Sequence, residues 1–322
     1  MPDDPHTEIY RKEYSERIVA EHLRGPLDFL QQLANFGSHL IPRAWLSSNR
    51  EITDSVLINV LLKHVLVMLD GTIALLEKGA VLASNLQLRS LFEAQAYITH
   101  ILDEDYDVRA KQYFVWHLRK RSDWAKATVT GTQENTNLTD SLKGTPIEKI
   151  LEELRSKAGD INGYEAEIQN CLNSEELREV NAEFERLRLT KRGKRRKRDV
   201  SWYSVFGGPS SFADLCANLD LAGEYEVFYS QDSEVMHATT QDSMISHSDG
   251  MVIQEPIRNL AGFDEAVRRA SNLTLTVFKE ILGQYRPHEL NESFLRRFIE
   301  EWQEPFRNIP KIIVREGNYR EI

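Results

Sequence analysis

Val81-Leu82-Ala83-Ser84-Asn85-Leu86-Gln87-Leu88-Arg89-Ser90-Leu91-Phe92-Glu93-Ala94-Gln95-Ala96-Tyr97-Ile98-Thr99-His100-Ile101-Leu102 is the stretch whose reading decides the fold. At 3.6 residues per turn, Leu82, Leu86, Arg89, Phe92, Glu93 and Ala96 share one face. Leu88, Leu91, Ala94, Ile98, Ile101 and Leu102 make the rest apolar almost all round, which predicts a buried helix. Arg89 and Glu93 therefore need partners, because an uncompensated buried charge costs several kcal/mol, roughly. Arg before Glu is also the less favourable order for a surface ion pair. Two readings of the pair stand: a structural network tying two helices together, or an anion clamp in which Glu93 orients Arg89.

The same helical period recurs outward from this stretch. Candidate helices run from Glu8 to Ala34, Glu51 to Leu76, Val81 to Leu102, Tyr106 to Thr128, Pro146 to Lys157, Tyr164 to Leu189, Phe212 to Leu221, Gly223 to Ala238, Asp264 to Leu282 and Glu292 to Phe306. Asp54, Ser211 and Asn291 read as N-caps, and Gly79, Gly283 and the Arg286-Pro287 step as stops. Alternating β-branched runs are nearly absent, although Ile309 to Val314 has the makings of a short strand or arm. The expected fold class is all-α, a helical bundle with a polar helical insertion. Its parts are a helical arm at 1–40, a core at 41–129 and 200–290, a charged insertion at 130–199, and a C-terminal helix and tail at 291–322.

Composition narrows the class. The chain has 322 residues, 41% hydrophobic and 28% charged, which suits a soluble globular protein. Its two cysteines, Cys171 and Cys216, form no CxxC pair, so neither structural zinc nor a disulfide framework is expected. That usage suits a reducing cytoplasm. No basic-then-apolar leader follows Met1. The most apolar window, Val56 to Leu69, is interrupted by Lys63 and His64 and falls short of the ~20 residues that span a bilayer. No membrane partner is expected.

The net charge of −10 hides a local reversal at Lys191, Arg192, Lys194, Arg195, Arg196, Lys197 and Arg198. This run is either a solvated loop or a local contact for RNA, DNA or an acidic protein. Trp202, Tyr203 and Phe206 follow it and suit either base stacking or the first turn of a packed helix.

A second polar series is Tyr225, Tyr229, Ser233 and His237. Steps of four residues keep them on one slowly drifting helix face, flanked by Phe228 and Met236. They are either a core edge satisfied by other polar groups or a hydrogen-bonded row in which His237 moves a proton near neutral pH. No GxSxG elbow, GxxxxGK[ST], GxGxxG after a strand or HExxH is present. Asp103, Glu104, Asp105 and Asp107 read as a cap and turn. His237 and His247 with Asp242 and Asp249 are a thin basis for a metal site, and neither metal nor cofactor is expected.

Arg89-Ser90-Leu91-Phe92-Glu93-Ala94, Arg109-Ala110 to Tyr113, and Tyr225 to His237 together resemble a bacterial helical family, domain of unknown function 5677. The resemblance covers roughly 40–128 and 200–280. It implies a compact helical bundle with Arg89, Glu93, Ser233 and His237 converging in its interior. No reaction comes with it. A looser similarity is to the helical HEPN and abortive-infection proteins of bacterial defence, some of which are metal-independent ribonucleases using an Arg and a His a few residues apart. Arg89 and His100 are about 16 Å apart along one helix, so that chemistry needs Arg89 to meet His237 from another helix. The resulting expectation is a cytoplasmic effector acting on RNA, with catalytic residues Arg89, Glu93, Tyr229, Ser233 and His237. Its rival is a non-enzymatic interaction module, or an anion-sensing pocket. A homo-oligomer is compatible with either.

Overall fold

The computed structural model describes residues 9–129, 131–157, 161–189, 200–237, 239, 244–248 and 251–312. The fold is all-α, with one short hairpin in which Ile245–Ser248 (β1) pairs antiparallel with Met251–Gln254 (β2), Ser248 opposite Met251. Two compact units emerge, one formed by Met1–Glu104 with Cys216–Ile322 and the other by Asp105–Leu215.

In the first unit the helices are α1 (Lys12–His22), α2 (Arg24–Leu46), α3 (Ile52–Glu77) and α4 (Val81–Asp103). The sequence predicts one helix over Glu8 to Ala34, but the chain breaks at Leu23. Pro26 has no N–H to give the carbonyl of His22, so the helical ladder is interrupted there. The α4 helix packs against α3 and against α12 (Phe263–Tyr285), while α2 closes on both. Leu88, Leu91, Phe92, Ala94, Ile98 and Ile101 are buried on α4. On α12 the buried set is Phe263, Ala266, Val267, Ala270, Thr274, Val277, Phe278, Ile281 and Leu282, which has the spacing of one wide apolar stripe.

Three expected helix ends fall elsewhere. Glu51, not Asp54, is the N-cap of α3; Asp54 sits three residues on and accepts the Glu51 N–H at 3.0 Å in a capping box. Gly283 lies inside α12, which runs to Tyr285 and stops before Pro287. Asn291 lies within the last helix, where Pro287–Glu289, Leu290–Phe294, Leu295–Arg297, Phe298–Trp302 and Gln303–Arg307 run on as α13. Proline at the first helical position needs no hydrogen bond, so it starts this helix earlier than the asparagine would. Residues 309–312 form no strand, and 313–314 lie outside the described residues.

The α3 helix also corrects the bilayer argument. It is 26 residues long with mean hydropathy 1.8 over its most apolar window, so length and composition alone would let it cross a membrane. Half of that window is buried inside the protein, against α2, α4 and α12. It is built as a core helix.

The second unit holds α5 (Tyr106–Thr128), α6 (Gln133–Leu142), α7 (Pro146–Lys157), α8 (Ile161–Leu172) and α9 (Arg178–Arg188). The one helix expected over Tyr164 to Leu189 is thus two. The α6, α8 and α9 helices all pack on α5. A 3₁₀ turn at Trp202–Gly207 puts the fully buried Trp202 edge-on to Tyr113, with ring centroids 5.3 Å apart. The chain passes back through α10 (Phe212–Asn218), where the Ser211 hydroxyl accepts the Asp214 N–H at 3.1 Å. It then enters α11, made of Ala222–Glu224, a π-helical turn Tyr225–Tyr229, and Ser230–His237.

Candidate functional site

The first unit brings α11 down on α4. The π-helical turn at Tyr225–Tyr229 inserts an extra residue into the helix, as single turns at functional positions often do. Tyr225 and Tyr229 stack with centroids 5.2 Å apart, and Tyr229 leans on Phe92 at 5.9 Å. Those contacts fix the Tyr229 phenol between the two charges of α4. Its hydroxyl donates to Glu93 Oε1 at 2.5 Å and accepts from Arg89 Nη2 at 2.6 Å. Burial, and then the Glu93 carboxylate, push the Tyr229 phenol far above its ordinary pKa, so it keeps its proton.

Arg89 and Glu93 touch only loosely themselves, with 3.5 Å between Nη2 and Oε1. Their side chains are 15% and 31% exposed, so the pair is half-buried at the edge of the core rather than within it. Leu86, on the same face, is also exposed. The Arg89 guanidinium lies 4.3 Å from the Tyr229 ring centroid, a cation–π geometry. Its Nη1 meets the sulfur of Met236 at 3.3 Å, and its Nε has no hydrogen-bond partner among the described residues.

The next arginine in this region is held quite differently. Arg269, on α12, forms a two-pronged pair with Asp232 of α11, Nη1 to Oδ1 at 3.4 Å and a shorter Nη2 to Oδ2 contact. Both side chains are almost fully buried, and the guanidinium lies 4.5 Å from the Phe228 ring centroid. Burial lifts the Asp232 carboxyl above its usual range, against the opposing pull of Arg269 and Arg89. A further bond crosses α3 and α4, His64 Nε2 with Ser90 Oγ at 2.8 Å. Burial lowers the His64 pKa, and Glu93 pulls it back part of the way. Cys216 is buried nearby, its thiol pushed up to about 12 by burial and the charges of Glu224 and Glu93.

The structure brings Arg89, Glu93 and Tyr229 together. Ser233 follows one turn on, half-buried. His237 does not enter the interior; it is exposed at the end of α11, directly after the Met236 that touches Arg89. Sequence reasoning missed Asp232, Arg269, His64 and Ser90. Asp232 lies three residues from Tyr229, so helical spacing could have flagged it, but nothing local points to Arg269. The basic run Lys191, Arg192, Lys194, Arg195, Arg196, Lys197 and Arg198 lies outside the described residues. Asp242 and Asp249 do too, and among the described residues no group of three or more His, Cys, Asp or Glu could hold a metal.

An all-α scaffold carrying an Arg–Tyr–Glu seam between two helices is the class of protein that fold and site define. The chain belongs to the family of unknown function DUF5677, whose model matches residues 55–251. That span takes in most of α3 and all of α4 and α11, and so every residue of the seam. Comparison with curated proteins and with solved structures returns no match.

Proposed function

We propose that this protein is a cytoplasmic effector that acts on RNA as a metal-independent ribonuclease, with Arg89 as its phosphate contact. The observation that carries the reading is the contrast between two arginines. Arg269 has the two-pronged carboxylate partner of a structural arginine. Arg89 is braced by a tyrosine ring, but among the described residues its Nη1 meets a thioether, a weak acceptor, and the carboxylate beside it accepts from Tyr229. A guanidinium oriented this way, with donors poorly used, suits a phosphate oxygen.

In this mechanism His237 removes the proton from a ribose 2′-hydroxyl. The oxygen attacks the adjacent phosphorus, the bond to the 5′-oxygen breaks, and the departing oxygen takes a proton from water. Arg89 stabilises the charge that builds on the phosphorus oxygens, and Tyr229 and Glu93 hold Arg89 in place. His237 directly follows Met236, whose sulfur meets Arg89, and its exposed imidazole is open to a substrate.

The test is end-labelled RNA incubated with wild type, Arg89→Ala, Arg89→Lys and His237→Ala. Wild type should cut, and loss of either group should slow cleavage by about 10²-fold or more. Intact RNA with wild type, or variants that cut equally well, would sink the proposal.

A second reading is an interaction module in which the same seam is structural. It is favoured by one observation: a single phenol bridges Arg89 and Glu93, at 2.6 and 2.5 Å, and so staples α11 to α4. Under that reading Arg89→Ala lowers the melting temperature strongly; under the catalytic reading the fold persists while cleavage is lost.

A further inference from the structure

The second unit carries a surface that the seam does not explain. On α5, His117, Lys120, Arg121 and Trp124 are all exposed, and their spacing puts them on one helix face. Trp124 is 63% exposed, a large ring held in water. Cations alternate with rings along the stripe. Lys120 Nζ sits 3.3 Å from the Trp116 ring centroid. Arg121 lies 5.2 Å from the ring of Tyr164 on α8 and donates from Nε to its hydroxyl at 2.6 Å.

Two carboxylates near the stripe also have partners off it. Asp123 pairs with Arg188 at 2.6 Å, and Glu165 with Lys126 at 3.3 Å. Lys120 and Arg121 supply the positive charge of the stripe. The His117 ring packs against Tyr113 and Trp116 with centroids 4.5 and 4.9 Å apart, and that desolvation first, then Lys120 and Arg121, press it down to about 4, so it is a neutral ring at pH 7.

We propose that this face of α5, with Tyr164, binds single-stranded RNA. Bases stack on aromatic rings in a sequence-tolerant way, and flanking cations meet the phosphates. A lipid surface would ask for several apolar side chains to insert, whereas Trp124 is the large apolar group standing clear among the charges of this face. The choice of RNA over DNA rests on the reading of Arg89 above; the surface itself does not.

Fluorescence anisotropy of a labelled oligouridylate of about twelve nucleotides tests this, since such surfaces cover roughly 4–16 nucleotides. Binding should weaken as salt rises. Trp124→Ala should lower affinity by about fivefold or more, and Trp124→Phe should restore most of it, because a ring remains. The double variant Lys120→Glu, Arg121→Glu should abolish binding, whereas Arg24→Glu, an exposed charge reversal in the first unit, should not change it. These positions are on the surface, so circular dichroism should show all variants folded. Absence of binding, equal binding by all variants, or capture of anionic phosphatidylserine vesicles in place of RNA would overturn the inference. Equal affinity for the deoxy oligomer overturns RNA as the ligand. RNA that is bound through the stripe but never cut sinks the ribonuclease reading and leaves this one standing. RNA that is cut while the stripe variants bind normally does the reverse.

Discussion

Asp232 shows how much a single side chain can carry in this fold. Its carboxylate neutralises a guanidinium that would otherwise be stranded in the core, and both groups are almost fully buried. Removing one partner of such a pair costs about 3–5 kcal/mol, because the other charge stays behind without water. Asp232→Ala should therefore lower the free energy of unfolding by that amount, which moves the urea midpoint down without changing the slope. Restoring neutrality with Asp232→Ala and Arg269→Met together should recover most of the loss, and a double mutant as unstable as the single would refute the pairing argument. Arg89 was readable as an anomaly from its apolar setting alone. Its partner Tyr229 was readable as a row of steps of four. That these two rows meet was not readable, because 140 residues separate them along the chain.

At the scale of elements, close approach decides the core. Gly37 of α2 faces α3 and α12, and a Cβ there would meet Leu66 and come within 2.7 Å of the Phe278 ring. Phe36 beside it anchors an aromatic cluster with Phe278, Trp302 and Phe294, at 5.3, 5.3 and 5.6 Å. Gly37→Ala should destabilise the protein by about 1–3 kcal/mol through overpacking, despite the better helix propensity of alanine. Thermal unfolding followed by circular dichroism checks this, and an unchanged or higher melting temperature would contradict it. The helices themselves were legible: Val81 to Leu102 and Tyr106 to Thr128 read within a residue of what is observed. Their ends were less so. Pro26, Pro287 and the Glu51–Asp54 box act through one missing or one added hydrogen bond, which residue periodicity does not register.

For the molecule as a whole, the central α4–α12 contact makes stability depend on pH. Glu280 sits there with one oxygen accepting from the Thr99 hydroxyl at 2.7 Å and the other buried with no hydrogen-bond partner among the described residues. Burial raises its pKa from 4.5 to about 7, with Lys279 and Thr99 opposing. The folded state thus holds the proton more tightly than the unfolded chain. That contribution is complete below 4.5 and is lost as pH rises through about 7, a span worth about 3 kcal/mol at 1.36 kcal/mol per pH unit. Glu280→Gln should flatten stability between pH 5 and 8 and leave the variant more stable than wild type at pH 8, roughly by that amount. Urea melts across the range test it, and parallel curves would disprove it. Length, helical period and the placing of Arg89, Glu93 and Tyr229 on apolar-flanked faces were determined by the sequence alone, since each is a property of neighbours within a few turns. Only the tertiary structure decided that Tyr229 bridges both charges, that Asp232 belongs to Arg269, that Glu280 loses its water, and that Trp124 keeps its own. Those outcomes depend on which helix faces meet and how closely, and the period of a helix marks a face without naming what will cover it.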